Sequence, residues 1–383
     1  MKLLTSVTLR AWSSLALLLL VSGAGELAPR AEPAPAQESF PAVAEHADVN
    51  ASLPSPVLTH CPEPITPIPP PPAADPLKLA LGESLFDDPL LSHDRTRSCQ
   101  SCHDTRSNGA YTNQHDRAVD GSQLFFNTNT VFNAALSFRF DWEGDMPSLE
   151  AHTEASLVSP RTMGMTMDEA LGRLEVDPTL VARFSRVYGH GPDQASLLDA
   201  IATYERSLVT PGSRFDQWLQ GDSAALSADE QKGYQLFKSL GCISCHQGVN
   251  IGGNLFERQG IFRPLAAPKP EVLRVPSLRN VAVTPPYFHD GSAPTLEDAV
   301  RKMAAAQLDR TLSEDQVGSI VAFLRTLTGT YRGSPVSAAV PAAATKLGAA
   351  PIPAPTPAST SLASSPILTS PPVLTSSPVL TSP

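Results

Sequence analysis

The chain's apolar positions follow helical spacing in several places, and no stretch alternates convincingly as a strand would. Capping patterns of the form Ser/Thr-x-x-acid or amide predict three helices in the second half, over residues 227–239, 295–306 and 313–329. The third helix carries apolar residues at helical spacing: Val317, Ile320, Val321, Leu324 and Leu327. In the first half, residues 168–174 and 196–208 are predicted to be helical. The predicted fold class is mainly α, with long loops.

A short apolar pattern occurs twice, once in each half. Gly82-Glu83-Ser84-Leu85-Phe86 and Gly233-Tyr234-Gln235-Leu236-Phe237 each predict a short helix with Leu-Phe on its buried face. Each stretch precedes a pair of cysteines. The duplication predicts two units that are built on one plan.

Proline and small residues dominate both ends of the chain, which has 38 prolines. Residues 25–74 contain a polyproline run and are predicted to be a linker. Residues 333–383 repeat Pro-Val-Leu-Thr-Ser with variations and are predicted to be disordered. The remaining residues are predicted to form two domains, 75–212 and 213–332.

The N-terminus has the features of a secretion signal over residues 1–24. Lys2 and Arg10 supply the positive charge, Ala11–Val21 the apolar run, and Ser22-Gly23-Ala24 the small residues for cleavage. The run is short for a transmembrane helix, and an uncleaved anchor is the alternative. Export predicts a periplasmic location.

Composition narrows the class of partner. The 383 residues carry a net charge of −10, which argues against nucleic acid and favours a partner that is not strongly acidic. Hydrophobic residues make up 42% of the chain, enough for sizeable cores. Cys61 is the odd cysteine in a proline-rich stretch and is predicted to be an exposed thiol without a catalytic role.

The other four cysteines lie in two motifs, Cys99-Gln100-Ser101-Cys102-His103 and Cys242-Ile243-Ser244-Cys245-His246. Cys-x-x-Cys-His is typical of covalent haem c attachment. Two thiols about one turn apart add to the two vinyl groups of one porphyrin, and the adjacent His supplies the proximal nitrogen. The alternatives are redox disulfides or a zinc cluster. Two such motifs predict two haem c groups.

The sixth iron ligands are less clear. For the second haem the candidate is Met303, on the helix that Thr295 opens, because a thioether is a soft iron ligand and the domain offers few others. The alternatives are that Met303 fills the core at helical spacing with Val300, or that His289 is the ligand. The first half offers His93, His115 and His152 without deciding between them. If none of them ligates, the first iron has an open face for peroxide or oxygen chemistry.

These residues resemble bacterial dihaem cytochrome c peroxidases over nearly all of residues 75–332. MauG-like dihaem enzymes belong to the same superfamily. The stretches that carry the resemblance are Leu81–His103, Asn127–Ala135 with Trp142-Glu143-Gly144, Gly241–Gly253, Val275–Gly291 and Thr295–Gly329. The second half is the more specific match.

The resemblance implies unequal jobs for two haems. The haem on His246, with Met303 as distal ligand, would be high-potential and receive electrons; the haem on His103 would handle peroxide. Trp142 falls where the family has a tryptophan between the haems. The implied activity is reduction of hydrogen peroxide to water with electrons from a small periplasmic donor, a cytochrome c or a cupredoxin. Family members are often homodimers.

The resemblance also implies a calcium ion between the domains, on Asn127 and the backbone oxygens of Thr284 and Pro286. Met303, in place of a tyrosine ligand, favours peroxidase-like over MauG-like electronics. The alternatives are a MauG-like oxidase of a protein or organic substrate, a dihaem electron-transfer cytochrome, and a periplasmic binding module without haem.

The chain departs from the family in the peroxidatic pocket. His152 and Thr162 stand where the family has Gln and Glu, and Val119 falls near the removable His ligand of resting enzymes. His115 lies nearby but out of register. We predict that His152, with an ordinary pKa of about 6.5, replaces the missing base. Arg161 is predicted to stabilise developing negative charge.

Overall fold

A computed structural model describes residues 63–339. The predicted signal peptide, Cys61 and most of the predicted C-terminal tail lie outside these residues. Within this range the fold is mainly α, as predicted. None of the helices between residues 63 and 339 combines the length and the apolar character that a bilayer-spanning segment requires.

Nine α-helices lie between residues 63 and 339, joined by long loops and short 3-10 turns. They are α1 (Pro76–Phe86), α2 (Leu149–Val158), α3 (Met167–Glu175), α4 (Pro178–Tyr188), α5 (Gln194–Ser207), α6 (Arg214–Leu219), α7 (Ala228–Ser239), α8 (Leu296–Leu308) and α9 (Glu314–Arg325). The five helices expected from longer patterns, α3, α5, α7, α8 and α9, are all present. The patterns did not predict α2, α4 or α6.

Side-chain caps explain where the predicted helices begin. In α7, Ser227 Oγ accepts from the Glu230 amide, and the Glu230 carboxylate accepts from the Ser227 amide. Ser313 and Gln316 form the same reciprocal pair at α9. Each pair satisfies two of the amides that a helix start leaves without partners. The unpredicted α4 begins with Asp177 as cap before a proline at the first helical position.

The structure contains two short antiparallel ribbons that the pattern of apolar residues did not predict. β1 (Phe256–Arg258) pairs with β2 (Val272–Arg274), and β3 (Thr330–Tyr331) pairs with β4 (Ser334–Pro335). Each strand has two or three residues. Such strands are too short to display an alternating pattern.

The duplicated stretches each begin with a glycine, Gly82 or Gly233, and two helices cross at that glycine in each half. α1 packs on α5, and α7 packs on α9. A Cβ on Gly82 would lie 2.0 Å from the Ala200 carbonyl oxygen, and one on Gly233 would lie 1.9 Å from the Ser319 carbonyl oxygen. Both distances are far inside van der Waals contact. The repeat therefore keeps a glycine in each half so that the two backbones can touch.

We expect Gly233→Ala to destabilise the fold by about 1–3 kcal/mol, because an added methyl group must push α7 away from α9. Urea unfolding of the holoprotein measures this loss. Gly318→Ala is the matched control: Gly318 lies on α9 with nothing within 4 Å of its added Cβ, so alanine there should be neutral or stabilising. Equal effects of the two substitutions would contradict the crossing argument.

Residues 63–72, which we call the N-terminal strap, pack on the second half. Ile65 is 1% exposed and belongs to the core of that half. Glu63 Oε2 accepts from the Tyr234 hydroxyl at 2.6 Å. The prediction of a linker over residues 25–74 did not anticipate these contacts.

Residues 330–336, which we call the C-terminal strap, return to the first half. Val336 belongs to the core of the first half. The Tyr331 ring lies 4.9 Å from the Phe132 ring, and Arg332 pairs with Glu83 on α1 at 2.8 Å. Each strap thus lies on the half from which it is more distant in sequence.

The two halves meet at the buried hydroxyl of Thr210, which accepts a hydrogen bond from each half. Asn133 and Asn280 both adopt left-handed backbone with φ 61° and both precede a 3-10 turn. Their Nδ2 atoms both donate to Thr210 Oγ1, at 2.8 and 3.0 Å. The pair is a second structural trace of the duplication, and it fixes the two halves around one residue.

Candidate haem centres

The two Cys-x-x-Cys-His motifs fold alike. Each begins as a 3-10 turn, Cys99–Ser101 in the first and Cys242–Ser244 in the second. The amide of each motif's histidine donates to the carbonyl of the first cysteine, at 2.9 Å for His103 and 3.0 Å for His246. All four cysteines are free thiols. The turn therefore gathers two thiols and an imidazole at each motif, as haem attachment requires.

Each motif's imidazole is oriented by a carbonyl farther along the chain. His103 Nδ1 donates to the Gly109 carbonyl at 3.2 Å, and His246 Nδ1 donates to the Ile251 carbonyl at 3.2 Å. This arrangement leaves Nε2 unprotonated and free to bind a metal. Burial lowers the pKa of each histidine to about 4, so both imidazoles are neutral near pH 7. Both therefore fit the role of a proximal iron ligand.

His152 lies close to the first motif. It projects from α2 and is half-buried, and desolvation together with the positive charge of Arg274 lowers its pKa. Burial dominates the low pKa of His103, and the nearby His152 lowers it further. Of the three candidate histidines in the first half, His152 is thus the one whose charge is felt at His103.

Arg161 and Thr162 do not join His152. Arg161 is exposed, and its Nη2 donates to the Gln123 carbonyl at 2.6 Å. The Thr162 hydroxyl donates to the Ser156 carbonyl at the end of α2. The position of Arg161 gives no support for its predicted role beside the peroxide.

The guanidinium near His152 belongs to Arg274 on β2, a residue that sequence reasoning missed. Arg274 Nε donates to the Asp141 carbonyl at 3.0 Å, and its amide donates to the Trp142 carbonyl at 2.9 Å. Arg274 directly precedes a stretch that resembles the family, but no spacing rule links it to a histidine 122 positions away. An electrostatic influence between positions so far apart in sequence needs the tertiary fold.

Trp142 is buried between the two halves. Its Nε1 donates to the Asn127 carbonyl at 2.8 Å, and its ring lies 6.3 Å from the His289 ring. His289 is 2% exposed, and its Nε2 has no hydrogen-bond partner within residues 63–339. The tryptophan thus interacts with a main-chain carbonyl of the first half and a histidine ring of the second.

The chain belongs to a known enzyme family by direct comparison. The family model described as di-haem cytochrome c peroxidase matches residues 76–224, and the cytochrome c model matches residues 230–328. A cytochrome c551 peroxidase of Nitrosomonas europaea is 38% identical over 266 residues, which are 65% of this chain and 79% of that protein. The chain is a member of the di-haem cytochrome c peroxidase family. It therefore carries two haem c groups.

Two further relatives match different shares of their own length to this chain. The cytochrome c peroxidase Ccp of Escherichia coli K12 is 39% identical over 290 residues, 71% of this chain, but the match spans only 62% of that protein. A crystal structure of a MauG-like protein associated with microbial copper homeostasis superimposes with a TM-score of 0.62 at 25% identity. That superposition covers 68% of this chain and 93% of the other.

Met303 lies on α8 and is half-buried. Its neighbour Val300 packs against the core of the second half, whereas Met303 is absent from that core within residues 63–339.

The other histidines of the first half differ in their surroundings. His93 is exposed and pairs with Glu169 at 3.1 Å on the surface. His115 lines a cavity of about 500 Å³ that opens beside Cys102. Its buried Nδ1 has no hydrogen-bond partner among residues 63–339. The structure thus leaves His115, but not His93, near the first motif.

Three oxygens at the predicted calcium position have no hydrogen-bond donor within residues 63–339. Asn127 uses its Nδ2 on the carbonyls of Asn113 and Gln114, and this leaves its Oδ1 without a partner. The carbonyls of Thr284 and Pro286 accept no hydrogen bond in the same range. The backbone amide of Asn127 donates to the His289 carbonyl at 2.7 Å. This bond holds Asn127 beside the segment that contains Thr284 and Pro286.

Glu205 is a buried carboxyl that the sequence did not reveal. It projects from α5, where it accepts from the Thr153 hydroxyl at 3.2 Å. Burial raises its pKa to about 8, and its charge also raises the pKa of Cys99. Glu205 thus lies near the attachment edge of the first motif and is mostly protonated at neutral pH.

This pKa predicts how stability depends on pH. The folded-state pKa of Glu205, about 8, exceeds the ordinary value of 4.5. The contribution of Glu205 to the free energy of unfolding is therefore fully present below pH 4.5 and is lost as pH rises through 8. Relative to Glu205→Gln, the wild type should lose up to about 1.4 kcal/mol per pH unit in this window. Urea unfolding of both proteins from pH 5 to 8 measures the difference. Parallel curves would contradict the prediction, and exposed Glu175→Gln should leave the slope unchanged.

Proposed function

We propose that this protein reduces hydrogen peroxide to water with electrons from a small periplasmic redox protein. The observation that carries the proposal is the inequality of the two motifs: the charge of His152 acts on His103, whereas within residues 63–339 no charged side chain shifts the pKa of His246. The first centre thus has an imidazole nearby that can move protons. This asymmetry suits an enzyme that receives electrons at one centre and reduces peroxide at the other.

The haem c groups are assigned to the two motifs. Cys99 and Cys102 would hold the first by thioether bonds, with His103 as proximal ligand. Cys242, Cys245 and His246 would do the same for the second. The proposal is supported by the shared turn geometry and by the free Nε2 of each imidazole. When bound, the haems supply redox-active iron, which stores the electrons and offers a site for peroxide.

Met303 is proposed as the distal ligand of the second haem. A thioether favours reduced iron and suits a centre that accepts electrons from a donor. The proposal is supported by the absence of Met303 from the core that Val300 joins. Trp142, buried against groups of both halves, is proposed to lie on the electron route between the centres.

His152 is proposed as the proton-transfer group. Reduction of one peroxide to two waters consumes two electrons and two protons, and one proton must move between the peroxide oxygens before their bond breaks. A neutral imidazole can accept that proton and return it. Burial and the charge of Arg274 lower the pKa of His152, which keeps the imidazole neutral at pH 7.

Calcium is proposed to bind Asn127 Oδ1 and the carbonyls of Thr284 and Pro286. Calcium prefers oxygen ligands, and these three lack donors among residues 63–339. A homodimer is also proposed, and sedimentation with and without calcium tests both the dimer and its dependence on the ion.

The electron donor is proposed to be a cytochrome c or cupredoxin with a basic docking face, since this chain has a net charge of −10.

The test is to produce the full chain in a host that matures c-type cytochromes, count haem per chain, and follow peroxide consumption with reduced cytochrome c. We expect two haems and donor-dependent turnover. Cys99→Ala with Cys102→Ala should leave one haem and abolish turnover. Oxidation of a protein substrate without a donor would instead favour MauG-like activity. Failure of peroxide to perturb the half-reduced spectrum would favour a pure electron-transfer cytochrome.

A further inference from the structure

Two arginines of the second half are buried, and they differ in their partners. Arg279 is 1% exposed and is fully engaged: its Nη1 pairs with Asp216 at 2.8 Å, its Nη2 donates to the Thr66 carbonyl, and its Nε donates to a third acceptor. Arg274 is 8% exposed, and its side chain makes one hydrogen bond, from Nε to the Asp141 carbonyl. The two terminal nitrogens of Arg274 have neither a hydrogen bond nor an ion pair within residues 63–339.

A buried guanidinium without an anion is costly, because burial removes the water that would otherwise solvate its charge. Asp141 is the carboxylate whose charge acts on Arg274, but no ion pair forms between them. Asp141 Oδ1 accepts instead from the amides of Gly144 and Asp145, at 2.5 and 3.3 Å. The terminal nitrogens of Arg274 are therefore available to bind a negative group that residues 63–339 do not supply.

The neighbours of Arg274 indicate where that group lies. Trp142 is joined to the first motif through residues 127–131. The Asn127 carbonyl accepts from Trp142 Nε1, and the Val131 amide donates to the Gly109 carbonyl that also accepts from His103 Nδ1. The Arg274 amide and Nε hold the main chain at Trp142 and Asp141, which belong to the first half. The guanidinium of a second-half residue thus lies at the first centre.

We propose that Arg274 binds a propionate carboxylate of the haem attached at Cys99 and Cys102, so that a residue of one half fixes the cofactor of the other. The inference rests on the proposed attachment sites. Haem carries two propionate carboxylates. The planar guanidinium group can donate two parallel hydrogen bonds to one carboxylate. Arg274 thereby acts as a positioning residue.

The positive charge has an electrochemical consequence. A cation next to the porphyrin stabilises reduced iron relative to oxidised iron, because reduction removes one positive charge from the centre. Arg274 should therefore raise the potential of the first haem. Since β2 belongs to the second half, any shift of that half against Trp142 would change this potential.

The experiment is a spectroelectrochemical titration of both haems in full-length holoprotein, without peroxide. We expect Arg274→Gln to shift the reduction equilibrium of the first haem at least tenfold toward the oxidised form, which is about 59 mV for one electron. Arg274→Lys, which keeps the charge, should shift it less than threefold. Arg258→Gln is the control, since Arg258 lies on the paired strand, is exposed and pairs with Glu271.

Unchanged potentials in Arg274→Gln, or a larger shift at the second haem, would overturn the assignment. If Arg274→Gln does not fold, the wild type decides: a crystal structure of the holoprotein should have a propionate oxygen within hydrogen-bond distance of Arg274 Nη1 or Nη2, and a propionate bound elsewhere refutes the proposal. These readouts do not require turnover. An inactive protein with two haems and the expected shift would therefore refute peroxide reduction while supporting Arg274. A protein with fewer than two haems would refute the attachment sites themselves.

Discussion

His152→Ala is expected to slow peroxide reduction by about 10²–10⁴-fold, the range that a positioned acid–base group contributes. The charge of this imidazole acts on His103, and the resemblance predicts that Thr162 stands where the family has a glutamate. Steady-state turnover with reduced cytochrome c measures the loss. Haem content and the potentials of both haems should stay close to wild type, because His152 is assigned to proton movement.

Three comparisons sharpen this prediction. In the wild type, turnover should fall as pH drops through the pKa of His152, which burial and Arg274 hold below 6.5. His152→Gln, which introduces the residue that the resemblance predicts for the family at this position, should remain slow because an amide cannot exchange the proton. Arg161→Gln should have little effect, since that side chain is exposed and bound to the Gln123 carbonyl. Unchanged turnover in His152→Ala would remove His152 from the mechanism.

Asp216→Ala is expected to cost about 3–5 kcal/mol of unfolding free energy, because it leaves the buried charge of Arg279 without its partner. Both side chains are 0% exposed and their charged atoms lie 2.8 Å apart. Asp216 Oδ1 also accepts from the Ile68 amide, and Arg279 Nη2 donates to the Thr66 carbonyl. The substitution should therefore also loosen the N-terminal strap. Urea unfolding and proteolysis within residues 63–72 measure the two effects.

An exposed ion pair provides the control for Asp216. Glu271→Ala breaks the pair with Arg258 at the surface and should cost less than about 1 kcal/mol. Combining Asp216→Ala with Arg279→Met should recover part of the loss, since an apolar pair leaves no unpaired charge. A loss below 1 kcal/mol in Asp216→Ala would contradict the assigned role of this pair.

Local patterns predicted those parts of the molecule that depend on nearby residues. The capping boxes at Ser227 and Ser313 marked the starts of α7 and α9, because a cap acts over four residues. The family was predicted from motifs such as Cys242–His246, and the comparisons confirm it. The duplication of Gly82 and Gly233 was visible in sequence, but its reason, a backbone contact across two helices, was not.

Features that depend on tertiary contacts could not be read from the sequence. The charge of Arg274, in the second half, acts on His152 in the first, and no periodicity links the two positions. Arg161 looked equally suitable by charge and by its position near His152 in sequence, yet its side chain lies on the surface. The proline-rich composition of residues 63–72 predicted a linker, although Ile65 and Ile68 are buried. Composition reports the average character of a segment, and two well-placed apolar residues can override it.

The crossed straps bear on how such a protein can be divided. The N-terminal strap supplies Ile65 to the second core, and the C-terminal strap supplies Val336 to the first. A fragment that ends near residue 212 would lack Val336, and a fragment that starts there would lack Ile65. We therefore expect neither piece to be an autonomous cytochrome, whereas a chain nicked between them should remain a non-covalent complex. The exchange of straps thus makes each half depend on the other for a complete core.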